Sequence, residues 1–260
     1  MFRVAAQWPR SHLFFGPKAR LHDPMLLTET IRQATLAIAH QYYGVAQDSH
    51  FVMHEISYEI DEAGLRLVGR PADVVLTAVA RDVRMRGKSA SGMSIDFTCY
   101  RDNRRVGSGS VSWRCVSGTT YARLRGAHVD GAVEPEKQPA PVAPHLVGRF
   151  QEADVVLAPS AVDNLWLLRV DTNHPVMFDH PVDHVPGMTA IEAARQAMLL
   201  ATGSTDAVPV KGRFSFAHYI ELDEPCVIAA DVDGESSVRV KFEQNGQLAV
   251  TGDLEMLSRP

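Results

Sequence analysis

A carboxylate and a guanidinium stand close together on a segment that is otherwise apolar. Glu192 and Arg195 are three residues apart in the run from Met188 to Leu200, which contains no helix-breaking residue. A helical period of about 3.6 residues places both side chains, with the neighbouring Gln196, near one face. Charged groups are costly to bury unless they pair or serve a site. The spacing therefore predicts a structural ion pair or an acid–base group beside a cation, here named the second cluster.

The same cluster occurs a second time, 163 residues earlier in the chain. Six residues are identical at this one offset: Met25, Glu29, Arg32, Gln33, Ala34 and Leu36 match Met188, Glu192, Arg195, Gln196, Ala197 and Leu199. We interpret the match as an internal duplication, with equivalent helices in two equivalent domains, and name Glu29, Arg32 and Gln33 the first cluster. Two unrelated amphipathic helices built from common residues are the alternative.

Each residue type in these clusters has a chemical use. Burial raises the pKa of a carboxylate and a nearby arginine lowers it, so the balance can leave Glu192 or Glu29 as a general base near neutral pH. Arg195 and Arg32 suit a phosphate or a carboxylate, which a guanidinium binds through two parallel hydrogen bonds. Pairs that only fix the orientation of a helix are the alternative for both clusters.

A loop rich in histidine and proline precedes the second cluster. His180 and His184 are four residues apart, which would suit a metal on a helix, but Pro181 and Pro186 disfavour a helix and no third ligand is evident. We therefore predict no metal, and a proton shuttle or hydrogen-bond donor from a loop histidine. The N–H of Gly187, at the helix N-terminus, suits a carbonyl oxygen that gains negative charge. A surface histidine and a glycine needed only for the turn are the alternatives.

The loops also distinguish the two clusters. Asp23-Pro24 aligns with Pro186-Gly187, and proline has no N–H to offer an oxyanion. An anionic Asp23 would also oppose an oxyanion. We therefore predict that the second cluster is the main catalytic site, and that the first cluster supports it or forms a second site.

The elements that would hold these residues follow the same order in each half. A helix is predicted from Met25 to Tyr43 and another from Met188 to Leu200. Strands are predicted at 3–8, 51–60, 74–86, 93–101 and 106–116, and at 154–157, 165–170, 213–222, 226–232, 237–242 and 248–257. A long helix followed by antiparallel strands suggests a sheet curled around the helix, an α+β arrangement. We predict domains at 1–125 and 149–260, joined by a Gly- and Pro-rich linker at 126–148.

The composition excludes several classes of protein. The net charge is −5 with scattered basic residues, which argues against a nucleic-acid surface. No run approaches membrane-spanning length, and the N-terminus lacks the apolar segment of a signal peptide. Three widely spaced cysteines fit a reducing cytoplasm. No phosphate-binding loop, nucleophile elbow or dinucleotide fingerprint is present, so no cofactor is predicted.

The motifs resemble those of two related families. The run from His180 to Gly187, followed by Glu192 and Gln196, resembles hot-dog β-hydroxyacyl-carrier-protein dehydratases, although the loop is two residues shorter. A closer resemblance is to the A-factor biosynthesis hot-dog family of γ-butyrolactone synthases. It rests on the strings QWPRSHLFF (7–15), DPMLLTETIRQ (23–33) and FDHPVDHVPGMTAIEAARQA (178–197), in both halves of the chain. Only six residues precede the first string, where family members usually have a few dozen, so a shorter N-terminal arm is expected.

The resemblance implies a double hot-dog fold and an acyltransferase activity. Family members look like enzymes that join a β-ketoacyl group, delivered on an acyl carrier protein or as acyl-CoA, to dihydroxyacetone phosphate. The expected product is an ester phosphate that can close to a butenolide. A dehydratase or thioesterase acting on acyl thioesters, and a non-catalytic acyl-binding module, are the alternatives. We also expect a pseudo-dimer of hot-dog domains within one chain, which could form a homodimer, and no membrane partner.

Roles are assigned to residues of both halves. The predicted catalytic residues are Glu192, Arg195, His180, Glu29 and Arg32. The predicted substrate-binding residues are Gly187, Gln196, Gln33, His12, Phe15 and His184.

Overall fold

A computed structural model describes residues 1–126, residue 128 and residues 138–257. The chain divides into two compact units. Unit 1 comprises Met1–Leu124 with Val210–Arg213, and unit 2 comprises Arg125–Pro209 with Phe214–Pro260.

Unit 1 is a long helix against an antiparallel sheet. Its strands are β1 (Phe2–Trp8), β2 (His50–Ile60), β3 (Ala72–Arg86), β4 (Ser89–Arg101) and β5 (Arg104–Val116), in the order β1-β3-β4-β5-β2. Helix α1 (Met25–Tyr42) packs against β1, β2, β4 and β5, and two short helices follow, α2 (Glu62–Leu65) and α3 (Gly118–Arg125). Leu27, Ile31 and Ile38 of α1 are fully buried against the sheet. A Cβ at Gly109 of β5 would lie 2.5 Å from Ile31 Cδ1, so this glycine lets the helix approach the strand closely.

Unit 2 repeats the arrangement around a helix that is buried on all sides. Its elements are β6 (Leu157–Pro159), β7 (Leu165–Leu168), α4 (Gly187–Thr202), β9 (Cys226–Asp233), β10 (Ser237–Gln244), β11 (Gln247–Met256) and the ends of β8 (Pro209–Phe216), whose residues Val210–Arg213 belong to unit 1. Strands β11, β10, β9, β7 and β6 are neighbours in that order and run antiparallel. Every residue of α4 from Met188 to Leu199 is buried, because β6, β9, β10, β11 and a 3₁₀ turn at Pro144–Val147 all pack on it.

Turn chemistry fixes the register of two hairpins. Asn245 and Gly246 both have positive φ, 53° and 72°, as a type I′ turn between β10 and β11 requires. Asp102 and Asn103 likewise have φ values of 50° and 62° between β4 and β5. Both hairpins were predicted from these residue pairs. Glycine adopts the left-handed conformation freely, and asparagine and aspartate adopt it more readily than other residues do.

Some predicted elements differ from those observed. The strand predicted at 213–222 ends at Phe216, because the N–H groups of Ala217 and His218 both donate to the carbonyl of Ala249 and the chain leaves the sheet. Of the strand predicted at 154–157, Asp154 ends a 3₁₀ turn at Glu152–Asp154 and only Leu157 belongs to a strand, as the first residue of β6. Of the predicted linker, residues 127 and 129–137 lie outside the described part of the chain, whereas Val147 is fully buried in unit 2. In the described residues, no helix is long and apolar enough to cross a membrane.

Candidate active site

The second cluster is a closed network around the Glu192 carboxylate. Arg195 donates through Nε to Oε2 at 2.9 Å and through Nη2 to Oε1 at 2.7 Å, and Gln196 Nε2 donates to Oε1 at 2.6 Å. Arg149, which the sequence analysis did not single out, donates through Nε to Oε1 at 3.0 Å and places Nη2 2.8 Å from Oε2. Glu192 is 1% exposed and Arg195 is 5% exposed, so the network is sealed from solvent.

The pKa of Glu192 is lower than the near-neutral value that the sequence suggested. Burial raises the pKa of this carboxyl, but the charges of Arg149 and Arg195 and the hydrogen bonds from Arg195 and Gln196 outweigh burial and lower the pKa to about 2. From the sequence, burial was expected to offset the effect of Arg195 on the pKa. The structure adds Arg149, and the two arginines together lower the pKa more than burial raises it. Glu192 is therefore a carboxylate that holds its charge throughout the physiological pH range.

One segment of unit 2 covers the second cluster. Val156 N donates to Gln196 Oε1 at 3.0 Å, and Gln196 Nε2 donates to the Asp154 carbonyl at 2.9 Å. Arg149 follows the 3₁₀ turn at Pro144–Val147, where Gly148 takes the left-handed conformation with φ 65°. Residues 144–157, here named the covering segment, thus supply both the second arginine and the backbone groups that satisfy Gln196.

The first cluster has the same internal geometry but is partly exposed. Arg32 donates through Nε and Nη2 to the two oxygens of Glu29 at 2.9 and 2.8 Å, and Gln33 Nε2 donates to Glu29 Oε1 at 2.8 Å. The side chains of Glu29 and Arg32 are 26% and 25% exposed, and Gln33 is exposed. Arg32 and Gln33 thus both donate hydrogen bonds to the Glu29 carboxylate, in a cluster that is more exposed than the second one.

Two histidines form matching turns ahead of the two helices. His12 Nδ1 accepts from the N–H groups of Phe14 and Phe15 at 3.1 and 3.0 Å. In the same way, His174 Nδ1 accepts from the N–H groups of residues 176 and 177 at 3.1 and 3.0 Å. The Nε2 atom of His174 lies 3.1 Å from Asp154 Oδ1. His12, a predicted substrate-binding residue, thus holds the loop before α1, and the neighbouring Phe15 is buried.

The histidine loop ahead of α4 is divided between surface and interior. His180 is 64% exposed and its Nδ1 pairs with Asp179 at 2.6 Å, so this predicted catalytic residue lies at the surface while Glu192 is sealed. His184 Nδ1 lies 2.8 Å from Asp183 Oδ1, and burial lowers the pKa of His184 against the raising effect of Asp183. Gly187 is the first residue of α4, as predicted, whereas Asp23 Oδ1 accepts the N–H of Met25 at the start of α1.

Another buried arginine, Arg125, anchors this loop. Its Nη1 and Nη2 donate to the two oxygens of Glu221 at 2.7 and 2.6 Å, and its Nε and Nη2 donate to the Asp183 side chain and carbonyl at 3.1 and 2.7 Å. Its guanidinium lies 4.4 Å from the centre of the Tyr219 ring. Burial opposes the charge of Arg125, but Glu221 and Asp183 raise its pKa overall. Because Val185 N also donates to the Ile220 carbonyl, the loop is held at two points.

One group of potential metal ligands lies beside Arg125 in the described residues. His128, Glu221 and Asp223 bring ligand atoms within 4.8 Å of one another. Both oxygens of Glu221 already accept hydrogen bonds from Arg125, so the charge of this carboxylate is already neutralised by an ion pair.

Comparison with known proteins identifies the family. The model of the A-factor biosynthesis hotdog domain (AfsA) matches residues 1–117 and 131–258. The chain belongs to this family. A relative from Streptomyces virginiae is 39% identical over 249 residues, covering 94% of this chain and 84% of the relative. One from Streptomyces coelicolor is 38% identical over 255 residues, covering 95% and 80%. Both are named 2-oxo-3-(phosphooxy)propyl 3-oxoalkanoate synthase.

Solved structures agree with the fold expected of the A-factor biosynthesis hotdog family. The 12:0-ACP thioesterase from Umbellularia californica superposes with a TM-score of 0.65 at 14% identity, covering 99% of this chain and 98% of the other. An acyl-ACP thioesterase from Bacteroides thetaiotaomicron gives 0.60 at 13% identity, covering 98% of each chain. At these identities the likeness concerns the fold alone. Together with the family match, it confirms the predicted α+β double hot-dog fold and the predicted family.

Proposed function

We propose that this protein is an acyltransferase that joins a 3-oxoacyl group, supplied as a thioester, to dihydroxyacetone phosphate. The product would be a 2-oxo-3-(phosphooxy)propyl 3-oxoalkanoate. The observation that carries the proposal is the identity of 36–39%, over 94–95% of the chain, with relatives named for the synthesis of this compound. The clusters on α1 and α4 then suggest which side chains do the work.

The first cluster is the better candidate for contact with substrate. Glu29 and Arg32 are each about a quarter exposed, so a substrate can reach them without unfolding the unit. In the proposed step, Glu29 takes the proton from the hydroxyl of dihydroxyacetone phosphate, whose oxygen attacks the thioester carbonyl. The new ester C–O bond forms, the C–S bond breaks, and the proton passes to the leaving thiolate. Arg32 supplies the cation that the phosphate group of the acceptor needs.

The second cluster is better suited to holding unit 2 together. A carboxylate with a pKa of about 2 is a weak base at neutral pH, and Glu192 is sealed beneath the covering segment. The loops before the two helices favoured Glu192 as the main base. This proposal assigns that role to Glu29 instead. The oxyanion role predicted for Gly187 and the proton-shuttle role predicted for His180 stay predictions.

The test is product analysis with the purified protein. A 3-oxoacyl thioester is incubated with dihydroxyacetone phosphate, with dihydroxyacetone, or with no acceptor, and the products are identified by mass spectrometry. We expect the ester phosphate in the first reaction only. The phosphate contributes charge-assisted hydrogen bonds worth ~1.5–3 kcal/mol each, so the KM for dihydroxyacetone should be at least about tenfold higher.

Three results would contradict the proposal. Equal turnover with dihydroxyacetone would show that the enzyme does not need the phosphate group of the acceptor. Release of free 3-oxo acid at the same rate without acceptor would identify a thioesterase. Loss of water from a 3-hydroxyacyl thioester, with no transfer to either acceptor, would identify a dehydratase.

A further inference from the structure

A basic patch lies at one end of the sheet of unit 1. It consists of Arg84, Arg86 and Lys88 at the tip of the β3–β4 hairpin, and Arg114 on β5. Every residue from 81 to 88 is exposed, and so is Arg114. The net charge of the chain is −5, so this local excess of positive charge opposes the sign of the whole protein.

The sheet brings two of these arginines onto one face. Arg84 of β3 pairs with Gly92 of β4, and Gly92 pairs with Arg114 of β5. Residues directly opposite each other in an antiparallel sheet point to the same side. A Cβ at Gly92 would lie 3.2 Å from Arg114 Cγ, so the Arg114 side chain occupies the space that a larger residue would need. The two arginines thus flank a glycine on neighbouring strands.

A histidine lies within the electric field of both arginines. His54 occupies the irregularity in β2 between Met53 and Glu55. Burial lowers the pKa of His54, and the charges of Arg114 and Arg84 lower it further. Its Nε2 is buried and has no hydrogen-bond partner among the described residues. The positive charges of Arg84 and Arg114 therefore both act on His54 and favour its neutral form.

The nearby acids do not cancel the patch. Glu55 pairs with Arg213 at 3.6 Å, and Asp96 pairs with Arg81. From residue 81 to residue 88, Asp82 is the one acidic residue against four basic residues. The patch therefore keeps a net positive charge that is available to an anionic partner.

Apolar side chains are interleaved with the charges. Met85 is 52% exposed, Val79 is 42% exposed and Val83 is 37% exposed. Arginine and methionine are enriched at protein–protein interfaces, where an apolar centre is bordered by polar groups. The rest of the protein carries net negative charge, which would repel a long polyanion or a broad anionic membrane. A small acidic protein fits a patch of this size better.

The hairpin contacts the helix that carries the first cluster. Ala90 N donates to the Tyr43 carbonyl at 2.9 Å, just after the end of α1. Glu29 is 14 residues before Tyr43, which is ~21 Å along a helix at 1.5 Å per residue. A partner on the patch would thus need a long flexible arm to reach the first cluster, which is how a carrier protein presents a thioester.

We propose that Arg84, Arg86, Lys88 and Arg114 form the docking surface for an acidic carrier protein that delivers the 3-oxoacyl thioester. This inference rests on the proposed acyltransferase function and adds the surface on which a carrier-bound donor docks. Charged groups at the edge of an interface mainly govern the rate of encounter and its dependence on salt. The patch should therefore matter for a carrier-bound donor and not for a small thioester.

The test compares two charge-reversal variants with two donors. The patch variant carries Arg84→Glu, Arg86→Glu and Lys88→Glu. The control variant carries Arg70→Glu, Arg104→Glu and Arg105→Glu, which are exposed at the opposite end of the same strands and change the net charge equally. The donors are a 3-oxoacyl group on a carrier protein and the same group as an uncharged N-acetylcysteamine thioester. Circular dichroism confirms that both variants are folded.

We expect the patch variant to raise the KM for the carrier-bound donor roughly tenfold or more. The KM and kcat for the small donor should be unchanged, and the control variant should behave as the wild type with both. An unchanged KM for the carrier-bound donor, or an equal loss with the small donor, would overturn the inference. So would a wild-type protein that binds anionic vesicles through the patch but binds no carrier protein.

Failure of the proposed function can be separated from failure of docking. If the wild-type protein makes no product from either donor, the acyltransferase proposal fails. Titration of the carrier protein by calorimetry still decides the docking proposal, which requires binding to wild type that weakens in the patch variant and at high salt.

Discussion

Matched substitutions at Glu29 and Glu192 should separate catalysis from stability. Glu29→Gln and Glu192→Gln make the same chemical change at equivalent positions of the duplicated helix. The two carboxylates accept the same hydrogen bonds from their own helix, so the variants differ chiefly in exposure and in the presence of Arg149. A difference in outcome therefore reports on the surroundings rather than on the substitution.

Glu192→Gln should destabilise unit 2. The change leaves Arg149 and Arg195 buried without the carboxylate that neutralises them, and breaking a buried pair in this way costs ~3–5 kcal/mol. For a protein of this size the cost corresponds to a Tm lower by about 6–20 °C. Adding Arg149→Met to Glu192→Gln should restore part of the stability, because one of the unpaired charges is removed.

Glu29→Gln should leave stability nearly unchanged and remove activity. The Glu29–Arg32 pair is about a quarter exposed, and such pairs contribute ~0–1 kcal/mol. Loss of a general base should lower turnover by ~10²–10⁴. The assay is formation of the ester phosphate at saturating substrate, at a temperature where both variants are folded, with thermal unfolding followed by circular dichroism. If Glu192→Gln is as stable as wild type yet inactive, while Glu29→Gln keeps its turnover, the roles assigned here are wrong.

Two further predictions concern buried charged groups. Burial and Arg101 lower the pKa of His22 from 6.5 to about 4, so the protein should lose ~3 kcal/mol of stability as the pH falls from 6.5 to 4. Urea unfolding at several pH values should show this loss in wild type and a smaller one in His22→Asn; identical pH profiles would contradict the assignment. Arg125→Met should leave Asp183 and Glu221 without their cation and cost ~3 kcal/mol. Amide hydrogen exchange at residues 179–186 should then be faster, and unchanged exchange would refute the anchoring role.

The sequence predicted most of the fold because the signals are local. The apolar periodicity of α1 and α4 and the turn residues of the β10–β11 hairpin each specify structure within a short window, and the constant offset between the two helices indicates the duplication. The end of β8 was mispredicted because Gln244, a residue of β10, bonds the N–H and carbonyl of Glu221 and holds that segment outside the sheet. Contacts of that kind are set by tertiary structure and leave no periodic pattern.

The two buried arginines were missed for the same reason. Arg149 reaches Glu192 from 43 residues away, and Arg125 reaches Glu221 from 96 residues away. Arg149 lies on no helix or strand, Arg125 is the last residue of the short helix α3, and both are near the predicted linker. The matching of His12 with His174 was missed because their offset is 162, one fewer than that of the helices, so a search at a single offset does not find it.

The difference between the clusters follows from what covers them. The three polar side chains of each cluster bond one another in the same way, so their sequence alone makes Glu29 and Glu192 equivalent. In unit 2, Asp154 and Val156 satisfy Gln196, and Arg149 adds a second positive charge to Glu192. The added charge lowers the basicity of that carboxylate, and the covering segment shields it from solvent. A duplicated site can thus become a structural support by gaining a covering segment, with no change in the residues of the original motif.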